Sequence, residues 1–316
     1  MRVVFLGTPE FGVPSLKALV EAGYEVVGVF TQPDKPKGRG NKMLPSPVKQ
    51  QALAYGIPVF QPVKIRVDGV DDLRALQPDL CVTAAFGQIL SQEILDIPVI
   101  GTVNVHSSLL PKYRGSAPVN WAVIQGETIT GVTTMMTDKG LDTGDILLQR
   151  EIAIEKGESA EKLIQRMAPI GAELLIETVR ALEKGNCPRR PQNEAESSYF
   201  PMLKKEMGEI DWRLPARKIV DLVRGLTPWP GCAFSWGEGE QIKVWQAEEA
   251  ENPGLSYGSV IFADGKNGLV IAAGENAVRV LEMQAPGGKR MNPRDYLRGH
   301  PVSYATCFVT EGESHE

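Results

Sequence analysis

Cysteine is sparse in this 316-residue chain: Cys81, Cys187, Cys232 and Cys307 are scattered, and no two form a C-x-x-C pair. That scatter argues against a zinc site or a disulfide framework and suits a reducing cytoplasm. No stretch reaches the roughly 18 consecutive apolar residues of a membrane helix. The opening MRVVFLGTPE is too short a run for a signal peptide and breaks at Gly7 and Pro9. A cytoplasmic protein is expected. Basic charge is not in excess either. Lys and Arg number 34 against 39 Asp and Glu, a net charge of -5. Binding of nucleic acid by bulk charge is thereby disfavoured, while a local basic patch remains open. There is no internal repeat and no low-complexity tract. Histidine is scarcest of all, with three residues, and only His106 lies away from the C-terminal end.

What is present is a regular alternation. RVVFLG, EVVGVFT, IPVF, PDLCVTAAFG and GTVNVH read as short strands. VPSLKALVEAG, SPVKQQALAYG, GVDDLRAL and SQEILDI read as the helices between them. Ser46 is placed to cap its helix, with Pro47 at the first helical position. Strand and helix in alternation predict a parallel sheet with helices on both faces, and ligands in such sheets bind beyond the carboxyl ends of the strands. GVTTMMT and GLDTGDILLQREIAI suggest an antiparallel addition, and residues 159–185 one long helix. Residues 187–209 are rich in Pro and polar residues without a period and read as a surface linker. From Ile210 the chain predicts one helix, ARKIVDLVRGL, and then short strands between glycines, the pattern of a small β-barrel. The expected division is 1–186, a linker 187–209, and 210–316.

The chemistry gathers at the end of GTVNVH. Residues i and i+2 of a strand face one side, so Asn104 and His106 project together past the sheet edge. A carboxamide and an imidazole there suit stabilisation of an oxyanion and handling of a proton. A satisfied pair capping the strand end fits the spacing equally well. A catalytic histidine needs a third group, and DKGLDTGD offers Asp138, Asp142 and Asp145, with Asp142 between Gly140 and Gly144. These aspartates could equally only shape a hairpin, and their spacing does not match a calcium loop. GTPEFG lacks G-x-G-x-x-G, which leaves a tight turn rather than a dinucleotide site. SLLP after His106 gives an apolar wall suited to a flat heterocycle. Lys112 and Arg114 could meet an anionic part of a substrate or stay solvated.

Two basic clusters stand out on this acidic chain. TQPDKPKGRGNKMLPSPVK carries Lys35, Lys37, Arg39, Lys42 and Lys49 against Asp34 alone. Its prolines and glycines predict no regular structure over 33–49, and such a loop suits a phosphate backbone or is a plain solvated loop. Lys289, Arg290, Arg294 and Arg298 form the second cluster. Together they point to an RNA partner.

Five ordered blocks then carry a resemblance: FLGTPEFGVPSL, QPDKPKGRG leading to PSPVK, NVHSSLLPKYRGSAPVNWAV, LDTGDIL and LTPWPGCAF, with YFPMLKKEMGEIDW a looser sixth. The chain resembles the folate-dependent formyltransferases over nearly its whole length, and most closely those members that formylate methionyl-tRNA. The resemblance implies a Rossmann-like α/β domain with a parallel-rich sheet, followed by an OB-fold-like barrel that binds tRNA. It implies 10-formyltetrahydrofolate as formyl donor, initiator methionyl-tRNA as acceptor and a part in translation initiation, with no metal and no membrane. Asn104, His106 and Asp142 match the family's catalytic residues. Ser108, Leu109, Leu110 and Pro111 match its folate-contacting segment. Arg39, with Lys35, Lys37 and Lys42, matches the loop that enters the acceptor arm; Lys289 and Arg290 add the second basic patch. Ser107 departs from the pattern, where glycine is common. A monomer is expected. Relatives acting on glycinamide ribonucleotide normally lack the second domain. Those acting on sugar nucleotides, or hydrolysing the donor, lack the QPDKPKGRG loop. An RNA-binding protein with an inactive enzyme-like domain is the rival from another class, and the intact trio argues against it.

Overall fold

The computed structural model describes residues 1–37, 42–236, 239–300 and Phe308. In chain order the elements are β1 (Arg2–Gly7), α1 (Val13–Glu21), β2 (Glu25–Phe30), β3 (Lys35–Lys37), β4 (Lys42–Leu44), α2 (Pro47–Ala54) and β5 (Val59–Phe60). They continue with α3 (Ile65–Asp68), α4 (Val70–Ala75), β6 (Leu80–Ala84), α5 (Gln92–Leu95), β7 (Gly101–His106), β8 (Arg114–Gly115) and α6 (Pro118–Ile124). Then come β9 (Ile129–Met136), β10 (Ile146–Ala153), α7 (Ala160–Glu183) and β11 (Tyr199–Phe200). Last are α8 (Ala216–Leu226), β12 (Cys232–Trp236), β13 (Glu240–Ala250), β14 (Val260–Asp264), β15 (Gly268–Ala272), β16 (Ala277–Gln284) and α9 (Pro293–Leu297). Two compact units result. One comprises Met1–Pro118, Ile129–Ala153 and Ile164–Pro201; the other comprises Val119–Thr128, Ile154–Leu163 and Met202–Glu316.

The first unit is built on a seven-stranded sheet of order β10-β9-β7-β6-β1-β2-β5. Its first five strands in sequence, β1, β2, β5, β6 and β7, pair in parallel, and β9 and β10 add antiparallel. The parallel strands are near-continuous apolar runs because helices cover both faces. Val3, Val4, Phe5 and Leu6 of β1 are fully buried, as are Leu16 and Leu19 on α1. Ser46 caps α2 by accepting the Lys49 N–H at 3.1 Å, a bond typically worth ~1 kcal/mol. Gly171 of α7 faces Val105 and Val132, where an added Cβ would meet Val105 at 3.1 Å. A few residues on, the Thr134 and Thr178 hydroxyls bond at 2.7 Å. The long helix is thus seated on the two strands that carry the site.

One expectation is corrected. Residues 33–49 are not devoid of regular structure, because β3 and β4 pair antiparallel with Lys35 opposite Leu44 and Lys37 opposite Lys42. The reason lies at the base of the loop. The Asp34 carboxylate accepts from Lys49 Nζ at 2.7 Å and from Gln61 Nε2 at 2.8 Å, and the Thr31 and Ser46 hydroxyls bond at 2.7 Å. Polar ties hold the two ends together, which lowers the entropy cost of pairing the strands between them. Apolar burial is not needed for that.

In the second unit β12-β13-β16-β15-β14 form one antiparallel sheet, with α8 against β13. Trp212, Phe234, Ile242, Leu269 and Ile271 fill its core. Asp221 on α8 is buried and paired with Arg224 at 2.8 Å. Asn120 of α6 donates to the Gly225 carbonyl at 2.7 Å. An α/β domain with a parallel-rich sheet followed by a small antiparallel β domain is the architecture the sequence predicts.

Candidate active site at the end of the central strand

β7 runs between β6 and β9, with Thr83 opposite Asn104 on one side and Thr133 opposite His106 on the other. Both threonines act on the site. Thr83 Oγ1 donates to Asn104 Oδ1 at 2.9 Å. That bond orients the carboxamide and presents its NH2 end as the donor. Thr133 Oγ1 donates to the Ser108 carbonyl at 2.7 Å and accepts the Leu110 N–H at 3.2 Å, which ties the strand to the loop that follows.

His106 is buried, with its Nε2 3.1 Å from the Tyr113 carbonyl oxygen. A carbonyl only accepts, so Nε2 carries the hydrogen, and Nδ1 is the nitrogen left to gain or give a proton. Nδ1 lies 3.7 Å from Asp142 Oδ1. The other carboxylate oxygen of Asp142 accepts the Gly115 N–H at 2.9 Å. Asp142 and Tyr113 are both non-glycine residues in the left-handed region, at φ 55° and 60°. Such positions cost about 1–3 kcal/mol each and persist where surrounding contacts over-determine them. At Tyr113 the N–H donates to Ser198 Oγ at 2.9 Å and the ring stacks on Phe200 at 5.0 Å.

The segment after His106 forms a folded wall. Ser108 Oγ donates to the Lys112 carbonyl at 2.8 Å, and Gln149 Nε2 donates to the Leu110 carbonyl at 2.8 Å. Leu109, Leu110 and Pro111 border an open cavity of about 1130 Å³, shared with Lys112, Leu147 and Gln149. Arg114 does not reach outward. It is buried, and its guanidinium grips Glu194 through two bonds of 2.8 and 2.9 Å. Of the two basic residues there, only Lys112 is exposed. Among the described residues no cluster of three or more His, Cys, Asp or Glu side chains is placed to hold a metal ion.

Residues 1–179 match the formyl transferase family, and residues 202–301 match the formyl transferase C-terminal domain. The chain belongs to the formyl transferase family. It is 50% identical to the methionyl-tRNA formyltransferase of Caldanaerobacter subterraneus subsp. tengcongensis, over 98% of this chain and 100% of that one. It is 48% identical to the methionyl-tRNA formyltransferase of Trichlorobacter lovleyi, over 98% of this chain and 97% of the relative. An N-formyltransferase from Helicobacter canadensis, crystallised with folinic acid and dTDP-3-aminofucose, superposes with a TM-score of 0.67 at 17% identity. The match covers 92% of this chain and 99% of that one, a likeness of fold.

The formyltransferase fold thus brings Asn104, His106 and Asp142 to one strand end. Lys35 stands exposed on the β3–β4 hairpin, whose strands also hold Lys37 and Lys42. Arg39 and the side chains of Lys37 and Lys42 lie outside the described residues. In the second unit Lys289 and Arg290 are exposed, and the Arg290 guanidinium lies 3.6 Å over the Trp245 ring. Sequence reasoning missed Thr83, Thr133 and the whole stretch from Arg190 to Phe200, which was expected only to link domains. That stretch supplies Gln192, Glu194 and Ser198 around the site and pairs β11 with β8. Its polar, aperiodic composition is that of a linker. The one available signal is the density of hydrogen-bonding side chains in PQNEAESS.

Proposed function

We propose that this enzyme transfers the formyl group of 10-formyltetrahydrofolate to the α-amino group of methionyl initiator tRNA. The observation that carries the reading is its end-to-end likeness to methionyl-tRNA formyltransferases. The geometry at the strand end supports this reading. An α-amino group has a pKa near 8, so a useful share is neutral at pH 7 and needs no covalent activation by the enzyme. Its nitrogen attacks the formyl carbon, and the carbonyl oxygen becomes an oxyanion. The Asn104 NH2, held by Thr83, donates to that oxygen. Protonated Nδ1 of His106 donates beside it, and Asp142 supports the resulting imidazolium. One such donor is typically worth roughly 3 kcal/mol of transition-state stabilisation. Collapse breaks the bond from the formyl carbon to the folate nitrogen. The Asp142 carboxylate takes the proton lost by the amine, Nδ1 of His106 gives its own proton to the leaving nitrogen, and Asp142 then returns its proton to Nδ1.

In this reading Ser108, Leu109, Leu110 and Pro111 contact the folate. Lys35, Lys37, Arg39 and Lys42 hold the acceptor arm, and Lys289 and Arg290 hold the tRNA elsewhere. Residues 1–186 would be catalytic and 210–316 would bind tRNA, in a monomer, with 187–209 joining them while its Arg190–Phe200 part braces the catalytic site. The alternative acceptor is an amino-sugar nucleotide, the kind of molecule crystallised with the Helicobacter canadensis protein.

The test is formyl transfer to methionyl initiator tRNA by the parent and by a variant with Ala at Lys35, Lys37, Arg39 and Lys42. A steep loss in the variant, with donor binding intact, is the expected result. No transfer to the tRNA, with transfer to an amino-sugar nucleotide, would move the acceptor assignment. Asp142→Asn is expected to cut turnover by roughly 10²–10⁴-fold with little change in tRNA binding. Near-parent turnover would remove Asp142 from the mechanism.

A further inference from the structure

The geometry points to Gln192 as a positioning residue that holds Asp142 in register with His106. This rests on the catalytic role proposed for Asp142. The carboxamide of Gln192 is satisfied on every side. Its Nε2 donates to the carbonyl of Asp142 at 2.7 Å and to the carbonyl of Gly144 at 2.8 Å. Its Oε1 accepts from Arg114 Nε at 3.0 Å and from a terminal nitrogen of the same guanidinium at 2.9 Å. Glu194 grips the far side of Arg114 and neutralises it. Arg114 precedes Gly115, whose N–H holds Asp142 Oδ2. Asp142 is therefore fastened twice to the same dipeptide, once by its carboxylate directly and once by its backbone through Gln192.

This double fastening sets where Oδ1 points. Asp142 sits in the left-handed region without the freedom of glycine, so its backbone tends to relax when its carbonyl loses its donor. The neighbouring Gly144 is packed against the Met136 carbonyl oxygen and leaves the turn no slack on that side. With Gln192 gone, the carbonyls of Asp142 and Gly144 and the Nε of Arg114 all lose partners inside a half-buried site. The carboxylate then drifts from Nδ1. A shift of about 1 Å in a reacting group can cost 10²-fold in rate.

The experiment compares Gln192→Leu and Gln192→Glu in the full chain, alone and combined with Asp142→Asn. Gln192→Glu keeps the shape and the Arg114 pairing but sets an acceptor against two carbonyls, so it tests the donor role if the leucine variant folds poorly. Each single variant is expected to lower kcat by roughly 10- to 100-fold. KM for the tRNA and for the donor should stay within about twofold, because the residue touches neither substrate in this reading. In the Asp142→Asn background the Gln192 substitutions should cost nothing further, as residues acting as a unit are non-additive. Parent-like kcat in Gln192→Glu overturns the proposal. So does a full multiplicative loss on top of Asp142→Asn, which would mark a general structural role. If Asp142→Asn alone keeps parent turnover, the catalytic reading of Asp142 fails and the positioning role falls with it, a result distinct from the other two.

Discussion

The carbonyl oxygen of Tyr113 lies 3.1 Å from Nε2 of His106, and it decides which ring nitrogen faces the chemistry. Tyr113 is turned into the left-handed region to aim that carbonyl, and Ser198 and Phe200 hold it there. On the opposite edge of the ring, Nδ1 faces Asp142. The imidazole is thus set between one group that fixes its tautomer and one that can stabilise its charge. Both come from backbone turns rather than from β7 itself.

Thr83→Val removes the hydroxyl that orients Asn104 while keeping shape. The fold should survive with a loss of about 1 kcal/mol, typical of one hydrogen bond. Turnover should fall more than that stability change suggests, because the freed carboxamide can rotate its oxygen toward the developing negative charge. Single-turnover rates at saturating substrates measure this, and a parent-like rate would place Asn104 outside the oxyanion site.

Gly144→Ala drives a methyl group into the main-chain carbonyl of Met136, which cannot rotate aside as a side chain would. About 1–3 kcal/mol of stability should be lost. Thermal melting combined with kcat measures both effects. Turnover should drop in protein that is still fully folded, since the turn carrying Asp142 is the part that must shift.

The Arg114 guanidinium holds the Glu194 carboxyl below its ordinary range. A depressed carboxylate favours the folded state above its unfolded pKa, roughly 4.3, and loses that contribution as pH falls through the folded value. Urea midpoints for parent and Glu194→Gln should therefore differ at pH 6 and converge as pH falls below 4. Glu194 is largely exposed, so the difference should be small. A gap that persists at pH 3 would assign the stabilisation to packing. Asp34 is depressed in the same direction by Lys49 and Gln61 and should show the same acid loss.

Burial pushes the thiols of Cys81 and Cys232 up to about 12. The thiolate is the reactive form, so neither should be alkylated by iodoacetamide at pH 8 in the folded protein. Both should be modified once urea unfolds the chain. Peptide mass spectrometry reads each site, and rapid native modification of Cys81 would contradict its place in the core.

Much of this molecule was legible from residue order. The helix at Pro47 begins where Ser46 predicts, because a cap is a contact across three residues. β1, β2, β6 and β7 fall on the apolar runs, and the antiparallel pair β9 and β10 falls where the pattern changes. Asn104 and His106 were candidates from residue type and strand-end position, while Asp142 was one of three aspartates in a glycine-rich turn, singled out by the family resemblance. The pairing of β3 with β4 was not legible, since the base that holds them includes Asp34 meeting Gln61 across 27 residues. Nor was the bond from Gln192 to Arg114, 78 residues away.

The sequence by itself determined the elements, their alternation and the strand end at which chemistry could gather. Those follow from local sterics, capping and apolar periodicity, which act over a few residues. Only the tertiary structure decided that Arg114 turns inward and that Nδ1 faces the carboxylate. It also decided that an aperiodic stretch past residue 187 braces the site. Each of these depends on a polar group finding a partner far along the chain, and a polar group's choice of partner is settled by which neighbours the folded backbone brings within 3 Å or so of it.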